Sequence, residues 1–463
     1  MLSRFRSSEG LLAGVARQGT GMLAVRFTSL AVLFGVQVLL ARLLGTVEFG
    51  VYTIALSVMG VLQLFARQGF EIAASRFVGT YRGLGQWGLL RGFVRASSLL
   101  VLCGAAFFAA ALVIVAEAIS GKLEDGVQQS LWLVAAILPV FTLLQLEAAV
   151  VRGMGRTGIA DIPTWIVHPL ALAAGVAVAV LVSGAPPRAT TALSVFLLTA
   201  VGILAIQHVV MNRVLPQSVR DAVSEYRWGE WTKAAPAMML FAGSAVLLSQ
   251  ANTVLLGAML GAAEAGIYNI SVRIAGILQL LTFCYIAAIG PVAASLHAHG
   301  NIAELERVTS SGARLVFAPA FAASALLVAF GKTILSAFGA EFATGYETLI
   351  VLAVGQLFWT ATVPAGVLLN MTGHHNQSGK ILLLATAVNF ALCALLIPMY
   401  GSVGAAIATT VAIILWNGIM AWSAQQRIGI RAHVTFGLSF SSHRRTADMT
   451  GIAPERDASG TAP

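Results

Sequence analysis

Long apolar segments follow one another along most of the chain, with short polar turns between them. A helix of about 20 apolar residues crosses the ~30 Å hydrocarbon core of a bilayer. A water-soluble fold could not bury this many apolar side chains, because 58% of the residues are hydrophobic and only 10% are charged. The sequence therefore predicts an all-α polytopic membrane protein. We expect twelve spans, at residues 20–41, 50–66, 93–116, 127–150, 162–182, 191–211, 235–258, 266–290, 313–337, 348–370, 381–398 and 401–423.

The positions of lysine and arginine orient these spans. Of the 28 basic residues, only four fall in the turns on one side, namely Arg42, Lys122, Arg188 and Lys332. Basic residues concentrate on the cytoplasmic side of membrane proteins. The pattern predicts that both termini are cytoplasmic. It also explains the net charge of +9 by topology and contact with anionic membrane lipids, so no nucleic-acid partner is expected.

An internal repeat divides the chain into two halves. Residues 39–64 align without a gap with residues 255–280, and 12 of the 26 aligned positions are identical. Both copies contain LG, then E-x-G-x-Y-x-I, then G-x-LQL. Six predicted spans separate the copies, and because six is an even number both copies enter the membrane with the same polarity. The repeat therefore predicts two six-helix lobes related by a pseudo-twofold axis along the membrane normal, with the substrate path between them.

The repeat and the spans together divide the chain into four regions. The N-terminal six-helix lobe covers residues 1–211, and a cytoplasmic inter-lobe linker at the membrane interface covers 212–233. The C-terminal six-helix lobe covers residues 234–423. The remaining cytoplasmic tail, 424–463, becomes rich in Ser, Thr, Gly and Ala, a composition that predicts a largely disordered segment.

Polar side chains inside the spans identify a candidate substrate site. A polar group in hydrocarbon is costly unless it is satisfied, so such side chains face protein or a wet cavity. The first, second, seventh and eighth spans hold most of them and are expected to line a central cavity. The candidate substrate-binding residues are Arg26, Gln37, Ser57, Gln63, Asn252, Asn269, Arg273 and Gln279.

The two arginines in these spans indicate an anionic substrate. Arg273 lies deep in the eighth span, whereas Arg26 either lines the cavity or extends to the membrane surface. The interiors of the first two spans contain no acid, and a cavity with arginines and no carboxylate favours anions. We expect the two guanidiniums to contact the phosphates of a substrate in succession. At constant offset Arg26 aligns with Ala242 and Arg273 aligns with Ser57, so both arginines mark positions where the halves differ.

Glu147 is the only acidic residue well inside a predicted span, and Arg152 and Arg156 lie nearby on its cytoplasmic side. The carboxylate either forms an ion pair with one of these arginines or binds a coupling proton. The chain has no Walker-type loop, no H-x-x-x-H pair and no G-x-S-x-G motif, and its three cysteines are isolated. The sequence therefore predicts neither an enzyme nor a cofactor or metal site.

Four short motifs resemble those of a known transporter family. They are L-x-x-x-LG-x-x-E-F-G-x-Y at 40–52, R-x-G-F at 67–70, R-G-x-G-R at 152–156 and G-x-x-G-A-A at 401–406. They are similar to the polysaccharide transporter family, the O-antigen type flippases of the multidrug/oligosaccharidyl-lipid/polysaccharide exporter superfamily. The resemblance implies two six-helix lobes around a central cavity and alternating access. It also implies transfer of an undecaprenyl-pyrophosphate-linked oligosaccharide to the outer leaflet of a bacterial inner membrane, for O-antigen (lipopolysaccharide), exopolysaccharide or capsule synthesis.

The resemblance implies partners and leaves alternatives open. The partners would be the polyprenyl-linked oligosaccharide, membrane lipids and polysaccharide polymerase or export machinery. Related lipid II flippases use cavity arginines on the first, second and eighth helices, and Arg26 and Arg273 match only the first and the eighth. A multidrug or other small-molecule antiporter of the same superfamily would require a protonatable acid such as Glu147. A membrane enzyme that polymerises lipid-linked sugars would usually carry a larger outer loop than this chain has.

Overall fold

The computed structural model describes residues 2–122, 126–371 and 375–428, and every regular element in these ranges is helical. The α-helices in chain order are α1 (Leu2–Arg67), α2 (Phe70–Gly83), α3 (Trp87–Ala118), α4 (Val127–Gly153), α5 (Thr157–Ile162), α6 (His168–Ser183), α7 (Ala189–Val214), α8 (Gln217–Asp221), α9 (Trp228–Leu260), α10 (Ala262–Gly276), α11 (Gln279–Ala298), α12 (Ile302–Ser336), α13 (Tyr346–Met371) and α14 (His375–Ile428). A π-helical turn, Pro163–Val167, joins α5 to α6. Most of the predicted tail lies outside the described residues.

Nine helical stretches of the described residues are long and apolar enough to cross a membrane, so the prediction of an all-α multi-pass membrane protein is confirmed. Two of them, Phe27–Arg67 with 41 residues and Gln377–Gln426 with 50, are broken at Gly45 and Gly401. Since about 20 residues suffice for one crossing, each is long enough to cross twice. The total of twelve crossings stays a prediction. We call the parts of α1 before and after Gly45 α1a and α1b.

Both copies of the repeat form the same turn. Gly45 has φ 73° and ψ 177°, and the aligned Gly261 has φ 91° and ψ 176°. This backbone region is essentially restricted to glycine, which explains the LG in each copy. The repeat's glutamate is close to the turn: the Glu48 carboxylate accepts a hydrogen bond from the Ala189 N–H at the start of α7, over 2.7 Å. A negative charge at a helix N-terminus is stabilising.

The two copies cross each other just after this turn. A Cβ at Gly50 would lie 1.8 Å from the Ala262 carbonyl oxygen, and a Cβ at Gly266 would lie 3.0 Å from the Thr46 carbonyl oxygen. Gly50 aligns with Gly266, and Thr46 aligns with Ala262. Each contact therefore becomes the other when every residue is replaced by its partner in the alignment. Reciprocal contacts of this kind are what a twofold relation produces. We call this end of the molecule the Gly45 end, and the opposite end the Arg67 end.

The linker between the two halves of the chain packs onto α3 at the Arg67 end. A Cβ at Gly92 would lie 1.8 Å from the Glu225 carbonyl oxygen, and the Glu225 N–H donates to the Gly88 carbonyl over 3.0 Å. The Trp231 indole, 1% exposed, donates to the Tyr81 hydroxyl over 2.8 Å. The predicted linker is therefore fastened to the N-terminal half as far as the first turn of α9.

Candidate substrate site

The first of two seams between the halves of the chain joins α1b to α9. Three glycines lie where the two helices pack closely. A Cβ added at each of them would lie 2.3 to 3.2 Å from the nearest side-chain atom of the other helix. From the Gly45 end to the Arg67 end, the contacts are Gly257 with Ile54, Gly60 with Gln250, and Gly243 with Leu64. Ten residues of helix separate Ile54 from Leu64, or about 15 Å at 1.5 Å per residue. This seam is therefore closed along most of its length.

The second seam is the counterpart of the first under the repeat, and lies between α1a on one side and α10 and the start of α11 on the other. Gly276 aligns with Gly60, yet no described atom lies within 4 Å of where a Cβ at Gly276 would be. The same holds for Gly35 on the facing helix, as judged from the described residues. Phe27 and Ile277 are 51% and 48% exposed. As far as the described residues show, the second seam is therefore open toward the Arg67 end.

At the Gly45 end, α1 is tied to the turn that follows α12. The Arg42 Nε donates to the Ala337 carbonyl over 2.6 Å, and the Thr46 hydroxyl donates to the Glu341 carboxylate. The Phe34 and Phe338 rings pack edge to face with centroids 5.3 Å apart. Together with the crossing at Gly50 and Gly266, these contacts close the Gly45 end.

Arg273 lies on the wall of the open seam. Its side chain is exposed, while Ile270 and Ile274 on the same helix are fully buried. The Arg273 Nε donates to the Asn269 Oδ1 over 2.8 Å, and the Asn269 amide donates weakly to the Thr253 hydroxyl over 3.5 Å. Within the described ranges, no carboxylate pairs with this guanidinium. An accessible cation without a counter-charge, inside a membrane protein, can bind an anion.

Tyr52 adds a group from the opposite half of the chain. Its side chain is 1% exposed, and its hydroxyl is close enough to Arg273 to interact with it electrostatically. The candidate residues predicted from the sequence do not include Tyr52. A buried hydroxyl of the first copy of the repeat therefore lies in the neighbourhood of Arg273.

The predicted glutamines and Ser57 of the N-terminal half are buried. Ser57, Gln63 and Gln37 are 2%, 4% and 8% exposed. The Gln37 Oε1 and the Gln63 Nε2 have no hydrogen-bond partner among the described residues, whereas the Gln63 Oε1 accepts from Arg67 over 3.3 Å. Gln279 is half-buried at the start of α11. The Arg26 side chain lies outside the described residues, so its part in the site stays a prediction.

Asn252 belongs to a separate polar cluster inside the C-terminal half. Its amide nitrogen donates to the Tyr268 hydroxyl over 3.2 Å and to the Thr409 hydroxyl over 2.8 Å. The Cys393 thiol donates to its carbonyl oxygen over 3.4 Å. Both ends of the amide are thus engaged within the C-terminal half, and a direct role of Asn252 in substrate binding stays a prediction.

Glu147 pairs with a histidine that sequence reasoning missed. The Glu147 side chain is almost completely buried, and its Oε1 lies 2.8 Å from the Nδ1 of His208 on α7. The second carboxylate oxygen has no partner among the described residues. His208 is 57% exposed, so the pair joins a buried acid to an accessible imidazole. Only the packing of α4 on α7 brings the two together.

The alternative that Glu147 forms an ion pair with Arg152 or Arg156 is wrong. The Arg152 guanidinium is engaged by Asp161 over 2.9 Å and by Glu71 over 3.1 Å, and Arg156 is exposed. Arg152 follows Glu147 by five residues, so the two do not share the i, i+4 spacing that brings side chains together on a helix. The network holds α2 and α5 against the end of α4.

The described residues contain no cluster of three potential metal ligands.

Similarity to known proteins agrees with this architecture. The sequence model of a family described as polysaccharide biosynthesis protein matches residues 17–297, and the chain belongs to that family. A comparison with curated proteins finds no match.

Solved structures of similar fold include the following three. An inward-facing multidrug resistance MATE family transporter of the MOP superfamily aligns with a TM-score of 0.72 at 14% identity, over 86% of this chain and 94% of the other. The lipid II flippase MurJ in an inward closed conformation aligns with a TM-score of 0.65 at 14% identity, over 87% of each chain. A MATE transporter from Vibrio cholerae aligns with a TM-score of 0.55 at 14% identity, over 88% and 97%. At such identity the likeness concerns the fold.

Proposed function

We propose that this protein is a flippase rather than an enzyme. It moves an undecaprenyl-pyrophosphate-linked oligosaccharide from the inner to the outer leaflet of a bacterial inner membrane by alternating access. The observation that carries the proposal is the difference between the two seams, with Arg273 on the wall of the open one. The product would serve the synthesis of O-antigen, exopolysaccharide or capsule, and family membership supports this assignment.

A seam that opens sideways suits a lipid-linked substrate. The polyprenyl chain stays in hydrocarbon while the charged pyrophosphate and the sugars must pass through the protein, so the cleft needs an opening to the bilayer. The second seam provides one, and basic residues orient its open end toward the cytoplasm. The closed first seam and the Gly45 end keep the cleft shut on the other sides.

The Arg273 guanidinium would bind the pyrophosphate. Its Nε is held by Asn269 over 2.8 Å, which leaves the terminal nitrogens to donate to phosphate oxygens in a bidentate manner. Arg26 on α1a would supply the second cation from the opposite wall. An anion moving outward from a negative interior gains about 2.3 kcal/mol per charge per 100 mV, so the membrane potential alone can drive the transfer.

Reconstitution in liposomes tests the proposal. We expect the wild type to flip a fluorescent polyprenyl-pyrophosphate oligosaccharide and Arg273→Ala to lower the rate about a hundredfold, because losing a hydrogen-bonded charge pair in a desolvated site costs 2–5 kcal/mol or more. Arg213→Ala, a change at an exposed arginine near the end of α7, is the matched control. Normal flipping by Arg273→Ala would contradict the assigned site, and no flipping by the wild type of any anionic polyprenyl sugar would contradict the flippase.

Proton-coupled antiport is the second candidate, and the Glu147–His208 pair favours it. A buried carboxylate joined to an accessible imidazole forms a path for a proton from the surface to the interior. In an antiporter, Glu147→Gln would abolish uptake driven by a pH gradient and leave exchange at equal pH intact. If flipping responds to the membrane potential and is unchanged by Glu147→Gln, antiport is excluded and the pair is structural.

A further inference from the structure

Asn269 holds Arg273 through an amide rather than through a carboxylate. The Arg273 Nε donates to the Asn269 Oδ1 over 2.8 Å. Arginine has only donors, so this contact fixes which end of the amide is the carbonyl oxygen. The amide nitrogen then lies on the other side, where it donates to the Thr253 hydroxyl over 3.5 Å. Thr253 is 1% exposed on α9 and Asn269 is 8% exposed on α10, so the amide links the arginine to a second helix.

Other arginines of the chain show the alternative to this arrangement. Arg67 also contacts a residue four positions away along the chain, but there the partner is the Glu71 carboxylate. Glu71 pairs with Arg152 as well, over 3.1 Å. The positive charges at the Arg67 end are thus balanced by acids, whereas no acid of the described residues pairs with Arg273. The guanidinium on the wall of the open seam is therefore held by a group that does not neutralise it.

The first copy of the repeat has no charge at the corresponding positions. At constant offset Thr253, Asn269 and Arg273 align with Gln37, Thr53 and Ser57. Each copy has one amide and one hydroxyl at the first two positions, in opposite order. Only the second copy places a cation at the third position. The combination of a neutral amide with an arginine is therefore a property of the C-terminal half and not of the repeated scaffold.

We propose that Asn269 is a positioning residue that makes the cleft selective for anions. It fixes the direction of the Arg273 guanidinium and, being neutral, leaves the positive charge for a phosphate or pyrophosphate group. A carboxylate at this position would accept the same hydrogen bond but would also neutralise the arginine and compete with the ligand. The inference deepens the proposed function and rests on Arg273 as its anion site. It assigns Asn269 a role through Arg273 rather than in direct contact with the substrate.

Binding of inorganic pyrophosphate to the purified full chain in detergent tests the inference, with isothermal titration calorimetry as the measurement. We expect Arg273→Ala to abolish binding. Asn269→Asp should weaken it about thirtyfold, because the contact between the anion and an uncompensated charge is lost. Asn269→Ala should weaken it only about fivefold, since the charge remains and only its fixed direction is lost. Gln217→Glu, the same amide-to-carboxylate change at an exposed position of α8, is the matched control and should bind like the wild type.

The order of the two Asn269 variants decides the outcome. A purely structural amide predicts tighter binding by Asn269→Asp than by Asn269→Ala, because Asp keeps the acceptor, and that order would overturn the inference. Thermal unfolding controls for folding: the new ion pair should leave Asn269→Asp at least as stable as Asn269→Ala, although it binds more weakly. Absence of pyrophosphate binding by the wild type would overturn the inference even if flipping were normal. The expected order of binding in a protein that flips nothing would contradict only the proposed function.

Discussion

The two copies of the repeat have the same turn and the same crossing but differ in how their helices continue toward the Arg67 end. The α1b–α9 seam is packed along its length, while its counterpart between α1a and α10–α11 is in contact at the Gly45 end and open below it. In the first seam Gly60 faces Gln250, and in the second Gly276 faces no described atom within 4 Å. An asymmetric state of a symmetric scaffold is what alternating access requires, because the opposite state can form by exchanging packing between related surfaces.

Cysteine cross-linking tests this comparison with the largest expected effect. After replacing Cys103, Cys284 and Cys393, the pair Gly60→Cys with Gln250→Cys should oxidise almost completely, because a disulfide needs Cβ atoms about 3.5–4.5 Å apart. The counterpart pair, Phe34→Cys with Gly276→Cys, should stay near background. Gel mobility shift in membranes measures both. Equal cross-linking of the two pairs would mean that the second seam is closed.

The crossing of the two copies should be the least tolerant of added volume. Gly50→Val forces a side chain onto the Ala262 carbonyl, 1.8 Å from the ideal Cβ position, and overpacking of this kind costs about 3 kcal/mol or more. Thermal unfolding in detergent should show a large loss of stability. Gly202→Val is the control, because no described atom lies within 4 Å of a Cβ there. Equal stability of the two variants would argue against the crossing.

The repeat's tyrosines should differ in their contribution to stability. Tyr268→Phe removes hydroxyl contacts with Asn252 and Thr409 and should cost about 1–2 kcal/mol, since a buried partner is left unsatisfied. Tyr52→Phe removes a hydroxyl in the neighbourhood of Arg273 and should change stability by less than about 0.5 kcal/mol. It should instead alter transport. Thermal unfolding and flipping assays on both variants separate the two roles, and a similar loss of stability in each would contradict the distinction.

The smallest effect is expected at the second pair of repeat glycines. Gly276 is the last residue of α10 and a Cβ there meets no described atom, so Gly276→Ala should gain at most roughly a few tenths of a kcal/mol through helix propensity. Gly60→Ala lies inside α1b but contacts the Gln250 side chain, 3.2 Å from the ideal Cβ position, so its propensity gain should be cancelled and it should be the less stable variant. Thermal unfolding of the two variants side by side measures the difference. If Gly60→Ala were the more stable of the two variants, the open seam would be the one between α1b and α9.

The site could be predicted only in part. Asn269 and Arg273 have the i, i+4 spacing that brings side chains together on one helix, and they do form a hydrogen bond, but their part in substrate binding stays a prediction. Of the two alternatives for Glu147, the ion pair with the nearest arginines along the chain is wrong, because Asp161 and Glu71 engage Arg152. The sequence could not identify His208 as the partner of Glu147, since no pattern in α4 indicates which residue of α7 lies beside the Glu147 carboxylate.

The sequence by itself determined that the protein is an all-α membrane protein and that it contains a duplicated unit. The first follows from the length of the apolar segments, and the second from the 12 identical residues in 26 aligned positions. Only the tertiary structure decided which seam is open and which residues meet there. Aligned positions such as Gly60 and Gly276 are identical, so the residue types at these positions do not reveal which seam is open. Packing between distant segments depends on their three-dimensional arrangement, which a local pattern does not contain.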